Sequence, residues 1–143
     1  MKTAYLFYCL LTFAVLPVQA QKSIDQTFTI ENYYKVRWGY AEEFIALYKK
    51  NHYPLLKKAQ EKGDVIAITI EKPRQHATED SRWDYRVTLV FKNMQAAFDP
   101  ALTEPYKKAL YPDAEKLKKE EQRRFELLVS HWDIEVQTVE LDN

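Results

Sequence analysis

The sequence predicts one small α+β domain with the element order β-α-β-β-α-β. Four segments alternate apolar and polar residues, which is typical of half-buried strands. Between the first and second of them, and again between the third and fourth, apolar residues recur every three or four positions, as in amphipathic helices. Hydrophobic residues make up 46% of the 143 positions and aromatic residues 14%, so the chain can fill a single core of ordinary domain size.

The N-terminus predicts a cleavable signal peptide. Lys2 gives a positive start, residues 4–16 form an apolar run, and the Val-Gln-Ala sequence that ends at Ala20 supplies small residues for a signal peptidase. The apolar run is shorter than the ~20 residues that a membrane-spanning helix needs. A lipid anchor at Cys9 is a further alternative, but bulky Tyr8 precedes that cysteine where such signals have a small residue.

We therefore expect a signal peptide at 1–20, a polar leader at 21–26 and one domain at 27–143. The protein would be exported, to a periplasm or out of the cell, with no membrane span after cleavage. The single cysteine, Cys9, would leave with the signal. The remaining domain would then have neither a disulfide nor thiol chemistry.

The charge balance argues against a nucleic-acid partner. The chain has 21 basic and 21 acidic residues, and Lys2 leaves with the signal. Nucleic-acid-binding proteins present strongly basic faces, so none is expected here. Gly39 and Gly63 are the two glycines of the chain, which excludes a glycine-rich phosphate loop.

Alternation and periodicity locate the first three elements. Segment 27–37 predicts a strand that ends near Gly39, segment 40–62 a helix, and segment 64–72 a second strand. The residues assigned to the helix-facing side of these two strands are Phe28, Ile30, Asn32, Tyr34, Val36, Ile66, Ile68 and Ile70.

Pro54 lies inside the predicted helix. Proline removes a backbone donor and clashes with the carbonyl of the preceding turn, so we expect a kink near Lys50 or Asn51. Gly63 follows the last periodic residue and predicts a C-terminal cap.

The second half predicts two strands, at 82–92 and 131–141, around helical segments at 93–98, 103–110 and 112–128. The complete order is ferredoxin-like: a four-stranded antiparallel sheet with its helices on one face. The residues assigned to the helix-facing side are Trp83, Tyr85, Val87, Leu89, Phe91, Trp132, Ile134 and Val136. Those assigned to the other side, which is either solvated or paired with a second sheet, are Glu31, Tyr33, Lys35, Asp84, Arg86, Thr88, His131, Asp133 and Glu135.

The last helix is expected to bury Leu117, Phe125 and Leu128. Its run 116–124 mixes both signs of charge at helical spacing. Such a run predicts a solvated face with ion pairs.

Over residues 27–141 the pattern resembles the dimeric α/β-barrel superfamily. The most specific part is segment 51–56, Asn-His-Tyr-Pro-Leu-Leu, which is similar to the His-x-Pro-Leu segment of the EthD-like and NIPSNAP-like branches. A weaker part is the aromatic third strand with Phe91 and the following residues 94–98. Antibiotic-biosynthesis-monooxygenase-like proteins form another branch.

The resemblance implies a dimeric α/β barrel, in which the sheets of two identical chains pack face to face. It also implies a pocket in each subunit between the helices and the sheet. Members of the superfamily include cofactor-less monooxygenases, haem-handling enzymes and many proteins of unknown role.

His52 is the candidate catalytic residue. It lies on the apolar stripe of the predicted helix, beside the Pro54 kink, which would free backbone carbonyls and open space next to the sheet. A histidine there could move a proton or hold a ligand. The alternative is a core histidine that donates to a freed carbonyl.

Six residues are candidates for binding a small, flat or apolar ligand. Aromatic rings could stack on such a ligand, whereas an ordinary aromatic core would give the same pattern. Asn32 on an apolar face needs a hydrogen-bond partner, which a ligand, a water, Tyr48 or His52 could supply. The six are Asn32, Tyr34, Trp38, Tyr48, Tyr85 and Trp132.

No metal site is predicted, because His52, His76 and His131 lie far apart and none has a partner at ligand spacing. No cofactor is predicted from the residues, and haem enters only through the resemblance. Two functions remain open. One is an exported protein that holds a small molecule without turnover. The other is a cofactor-less monooxygenase-like or haem-handling enzyme that uses His52.

Overall fold

The computed structural model describes residues 27–75, 77–139 and 141. The predicted signal peptide at 1–20, the leader at 21–26 and His76 lie outside the described residues. Within the described ranges, no helix has both the length and the apolar character needed to cross a membrane.

Four strands form one antiparallel sheet in the order β2-β3-β1-β4, where β1 is Phe28–Val36, β2 Val65–Glu71, β3 Tyr85–Phe91 and β4 Leu128–Val136. Helices follow β1 and β3 in the chain. The ferredoxin-like α+β prediction is therefore confirmed.

The first helical region is continuous and contains a wide turn. It runs through α1 (Ala41–Leu47), a π-helical segment (Tyr48–His52) and α2 (Tyr53–Lys62). Pro54 is the cause, because it cannot donate to the carbonyl of Lys50. The Tyr111 hydroxyl donates to that carbonyl instead, at 2.9 Å.

The expected kink is thus a π-helical turn, a feature that recurs at functional sites. At the other end of α2, Gly63 adopts a left-handed conformation with φ +87° and caps the helix. The cap at Gly63 is confirmed, and the disturbance expected near Lys50 takes the form of a π-helical segment.

The second helical region is broken into α3 (Met94–Ala97), α4 (Glu104–Leu110) and α5 (Ala114–Glu126). Asn93 and Asp113 cap α3 and α5, since each side chain accepts a backbone N–H of the first turn at 2.9 Å.

The core lies between the helices and one face of the sheet. Tyr48 is the largest of its fully buried side chains, and the rings of Tyr34 and Phe44 pack beside it, while Tyr85 stacks on Phe44. The other buried apolar residues of this cluster are Val36, Ile45, Leu56, Ala59, Val65, Val87, Leu89, Phe91, Ala96 and Leu127.

The facing predicted for β4 is wrong. In the observed register His131 pairs with Tyr34 on the helix side, whereas Trp132 pairs with Tyr33 on the open side. A bulge shifts the register between Lys35 and Val36, and a one-residue shift moves every side chain of a strand to the opposite face. Trp132, Ile134 and Val136 therefore leave the core side, and His131, Asp133 and Glu135 join it.

Three smaller assignments are also wrong. Trp83 precedes β3, and its ring meets the open-face ring of Tyr33 at 5.6 Å, so it does not belong to the helix-facing side. A bulge between Val65 and Ala67 turns Ile66 outward, so Val65 is the buried residue. In α5, Phe125 is 54% exposed and Arg124 is 3% exposed. Arg124 follows Leu117 by seven residues, so it lies on the buried stripe of the helix.

Tyr111→Phe should test the role of the wide turn. The variant leaves the Lys50 carbonyl without its hydroxyl donor, so we expect the free energy of unfolding to fall by about 1 kcal/mol. Urea denaturation measures it. The control is Tyr106→Phe in α4, and a Tyr111→Phe variant as stable as that control would contradict this account.

Candidate functional site

Five polar or aromatic side chains meet on the helix side of the sheet, and we call them the helix-side cluster. They come from β1, the π-helical segment, α5 and β4. The Tyr34 ring stacks on His131 with centroids 4.4 Å apart, and the Tyr48 ring lies 5.9 Å from Tyr34 and 5.0 Å from His52. The Arg124 guanidinium carbon is 5.8 Å from the centre of the Tyr48 ring.

His52 is held in its neutral form. Burial lowers its pKa from the ordinary 6.5 to about 4, and the positive charge of Arg124 and the neighbouring His131 act in the same direction. A neutral imidazole has one nitrogen that accepts a proton or a hydrogen bond. The predicted pocket histidine therefore has the protonation state of a base at neutral pH.

The two tyrosines of the cluster are held in their protonated form. Burial raises the pKa of Tyr34 to about 12. Burial and the adjacent Tyr34 raise the pKa of Tyr48 further still. Both hydroxyls remain donors at every physiological pH.

Arg124 and His131 are the two cluster residues that the sequence did not predict, and Arg124 is the buried one. Its nearest carboxylate oxygen, on Glu121, is 3.4 Å from Nη2, and within the described chain its buried Nε has no hydrogen-bond partner. A buried charge with so little compensation is costly. The spacing of seven residues between Leu117 and Arg124 indicates that Arg124 lies on the buried stripe of α5. The many charged residues around it in the sequence favoured a solvated position instead.

The cluster reaches solvent at β4. The His131 side chain is 29% exposed, and its Nε2 lies 3.1 Å from Oδ1 of Asp133. Partial burial lowers the pKa of His131, while Asp133 opposes that shift. A ligand could therefore approach the buried part of the cluster from the edge of the sheet.

The structure separates the six predicted ligand-binding residues. Tyr34 and Tyr48 belong to the helix-side cluster. Asn32 lies on the helix side, where its Nδ2 donates to the Val87 carbonyl at 3.0 Å. Trp132 stacks on Tyr33 on the open face, 5.3 Å away, so its assignment to the helix side is corrected.

Trp38 and Tyr85 line a different place, which we call the strand-end cavity. It measures about 260 Å³ and lies where β1 and β3 meet the start of α1. Its walls include Trp38, Lys72, Pro73, Arg82, Trp83 and Tyr85.

A second cavity of about 220 Å³ lies behind the π-helical segment, between Asn51, Tyr111 and Leu117. Asn51 is fully buried and donates to Oε2 of Glu120 at 2.8 Å. This contact, together with the Lys50 to Glu120 ion pair at 2.6 Å, fixes α5 against the wide turn.

The residues do not fit a haem in this arrangement. Both cavities are below the ~300–1,000 Å³ typical of cofactor pockets, and neither His52 nor His131 lines either of them. Within the described ranges, no group of three or more histidine, cysteine or acidic side chains is placed to hold a metal ion.

Chemically, the cluster combines two imidazoles, two hydroxyl donors and one buried positive charge. Hydroxyls and a guanidinium stabilise an oxygen that carries or develops negative charge. A neutral histidine beside them could accept the proton released when that charge forms.

The comparisons with known proteins agree with this fold. The model of the EthD domain family matches residues 40–119. A dimeric ferredoxin-like protein from an uncultured marine organism shares 9% identity at a TM-score of 0.54, covering 83% of this chain and 96% of that one. No curated protein sequence matches significantly.

Two further solved structures have the same fold. An antibiotic-biosynthesis-monooxygenase-like protein from Bordetella bronchiseptica shares 10% identity at a TM-score of 0.50, covering 79% of this chain and 97% of that one. A protein from Arabidopsis thaliana shares 13% identity at a TM-score of 0.51, covering 81% and 99%. At these identities the likeness extends to the fold alone.

His52→Gln should change how stability depends on pH. Because the pKa of His52 is about 4 when folded and 6.5 in the ordinary state, the unfolded chain binds the extra proton between those values. Stability is therefore complete above pH 6.5 and falls as pH drops toward 4, by up to roughly 3 kcal/mol. The variant should lack this component.

The measurement is the urea denaturation midpoint of the wild type and of His52→Gln, each at pH 7 and at pH 4.5. Carboxylate titrations affect both proteins equally, so they cancel when the two changes with pH are compared. Tyr40→Phe, at an exposed ring, is the control and should follow the wild type. Parallel pH profiles for wild type and His52→Gln would show that His52 is not held neutral.

Proposed function

The chain belongs to the EthD domain family, and from that premise we propose that it is an exported protein that binds a small flat molecule at the helix-side cluster. The ligand would carry at least one acceptor oxygen. Export rests on the sequence of residues 1–20. The arrangement of a neutral His52 beside two protonated tyrosines and Arg124 carries the proposal.

The poorly compensated charge of Arg124 supports a ligand with a carbonyl, phenol or enol oxygen. A buried guanidinium is stable only where acceptors surround it, and its Nε has none among the described residues. The stacked rings of Tyr34 and His131 would receive the flat part of the molecule. Polar and aromatic groups thus fix its orientation together.

The exposed helix-facing side of β4 supports an entry route there. His131 is the most exposed member of the cluster, and Asp133 and Glu135 on the same side are exposed as well. A ligand that entered past His131, Asp133 and Glu135 would displace their side chains, while the backbone of the sheet would stay in place.

A cofactor-less monooxygenase-like enzyme is the second candidate. The lowered pKa of His52 favours it, since a neutral imidazole could take a proton from an acidic C–H or O–H group while Arg124 balances the resulting anion. The fold is compatible with binding and with turnover, because one fold hosts many chemistries.

We also propose that the chain forms a homodimer through the open face of its sheet. Tyr33 on that face stacks on Trp132 and meets the edge of Trp83 at 5.6 Å. Trp132 and Ile134 are 36% and 42% exposed in the single chain. Such an aromatic surface is typical of an interface, and the marine protein with this fold is described as dimeric.

The ligand can be found by native mass spectrometry of the protein exported by its own signal and purified without additives. We expect extra mass on each subunit and a chain that begins at Gln21. For the compound identified, Tyr48→Phe and His52→Gln should each weaken binding about tenfold, as the loss of a hydrogen bond worth about 1.4 kcal/mol would.

Tyr40→Phe is the matched control and should bind normally. Unchanged affinity in folded Tyr48→Phe and His52→Gln proteins would contradict binding at the cluster. If the wild type and His52→Gln both bind the compound but only the wild type converts it under air, the protein is an enzyme that uses His52 and not a binding protein. A chain that retains residues 1–20 would contradict export.

Trp132→Asp should weaken the dimer. The change removes the ring that stacks on Tyr33 and places a carboxylate on the surface proposed to be desolvated in the dimer, so we expect the dissociation constant to rise at least about tenfold. Analytical ultracentrifugation measures it. Val139→Asp, at an apolar residue that is 74% exposed outside the sheet, is the control. A wild-type monomer at micromolar concentration would rule out the dimer.

A further inference from the structure

Three donors from different parts of the chain converge on the carboxylate of Glu79. The Trp38 indole Nε1 donates to Oε2 at 3.0 Å, the Arg82 Nε donates to the same oxygen at 2.7 Å, and Nζ of Lys35 lies 3.0 Å from Oε1. They hold the pKa of Glu79 at about 2, with Arg82 as the largest cause. This is a built carboxylate site.

The donors are fixed, whereas the carboxylate they hold is exposed. The side chains of Arg82 and Lys35 are 6% and 13% exposed, and that of Glu79 is 54% exposed. Arg82 is further held by the Val36 carbonyl at 3.0 Å and by Asp84 at 2.6 Å. Glu79 could therefore leave by a side-chain rotation without disturbing the donors.

Arg82 retains one unused donor. In the described part of the chain its buried Nη2 has no hydrogen-bond partner, although a buried donor without an acceptor is unfavourable. The Trp38 ring covers the guanidinium at 4.2 Å and is itself 67% exposed. Because the Trp38 ring is exposed and the Arg82 guanidinium lies beneath it, a flat group of a ligand could contact both side chains.

The strand-end cavity adjoins these donors. Trp38 and Arg82 contact Glu79 and also line the cavity, whose other walls include the rings of Trp83 and Tyr85. Its volume of about 260 Å³ exceeds the ~150 Å³ that holds one benzene ring in a protein interior. One aromatic ring with a short substituent would fit.

We propose that the strand-end cavity binds a small aromatic carboxylate and that Glu79 occupies the carboxylate position while the ligand is absent. When Glu79 turns away, Lys35 and Arg82 face Asp84 alone, which leaves one positive charge for an anion. Glu42 and Lys72, which also line the cavity, offset each other. This site is separate from the helix-side cluster, and the Phe44 ring packs between Tyr34 and Tyr85.

Benzoate is the probe, and benzamide is its uncharged counterpart of the same shape. The resonance of the Trp38 indole N–H in a ¹H–¹⁵N spectrum reports the loss of its bond to Glu79, and calorimetry gives the affinity. We expect Glu79→Gln to bind benzoate at least about fivefold more tightly than the wild type, because a neutral amide competes less well for three donors. Benzamide should bind weakly to both.

Glu61→Gln is the matched control, since Glu61 pairs only with the exposed Lys58 on α2 among the described residues; it should bind benzoate like the wild type. Trp38→Phe keeps a ring at this exposed position but removes the indole donor, so it should weaken binding at least about threefold. His52→Gln should leave benzoate affinity unchanged, which separates this site from the proposed function.

Three results would overturn the proposal. They are equal affinity for benzoate and benzamide, a Glu79→Gln variant that binds no more tightly than Glu61→Gln, and the absence of saturable benzoate binding at millimolar concentration in folded Glu79→Gln.

Discussion

The missing amide hydrogen of Pro54 is the constraint on which the candidate site depends. Without it the Lys50 carbonyl has no helical donor, and the helix widens from Tyr48 to His52. The carbonyl is satisfied from outside by Tyr111, which leads into α5. Asn51, turned inward by the same wide turn, donates to Glu120 on α5. One proline thus fixes the helix that carries His52 against the helix that carries Arg124.

The electrostatics of the cluster follow from that arrangement. Burial and the positive charge of the nearby Arg124 together lower the pKa of His52 and keep it neutral. Burial raises the pKa of both tyrosines and keeps them protonated. The site therefore combines one buried guanidinium with two hydroxyl donors and the neutral imidazole of His52. Such a site favours an oxygen-bearing ligand over an apolar hydrocarbon, whatever follows binding.

The sequence predicted the elements and most of the core, because alternation and periodicity decide which residues share a face. It could not predict which face of β4 is buried. The apolar set Trp132, Ile134 and Val136 resembles a core face, but the pairing of His131 with Tyr34 turns it outward. Register is a property of two strands together. The burial of Arg124 depends in the same way on other elements. A charged residue on the apolar stripe of a helix can be recognised as buried only when the strands and helices that pack against it are known.

Adjacent residues of β4 belong to two different surfaces, and this connects the proposed dimer with the proposed ligand site. Trp132 stacks on Tyr33 at the open face, while His131 stacks on Tyr34 at the helix side. Among the described strands β4 lies at one edge of the sheet and pairs with β1 alone, so a partner sheet over Trp132 would restrain it from the other side. His131, at the mouth of the helix-side cluster, would then be held more rigidly. In the proposed homodimer, the partner sheet would therefore restrain the ligand site through β4, although no residue of the partner would contact the ligand.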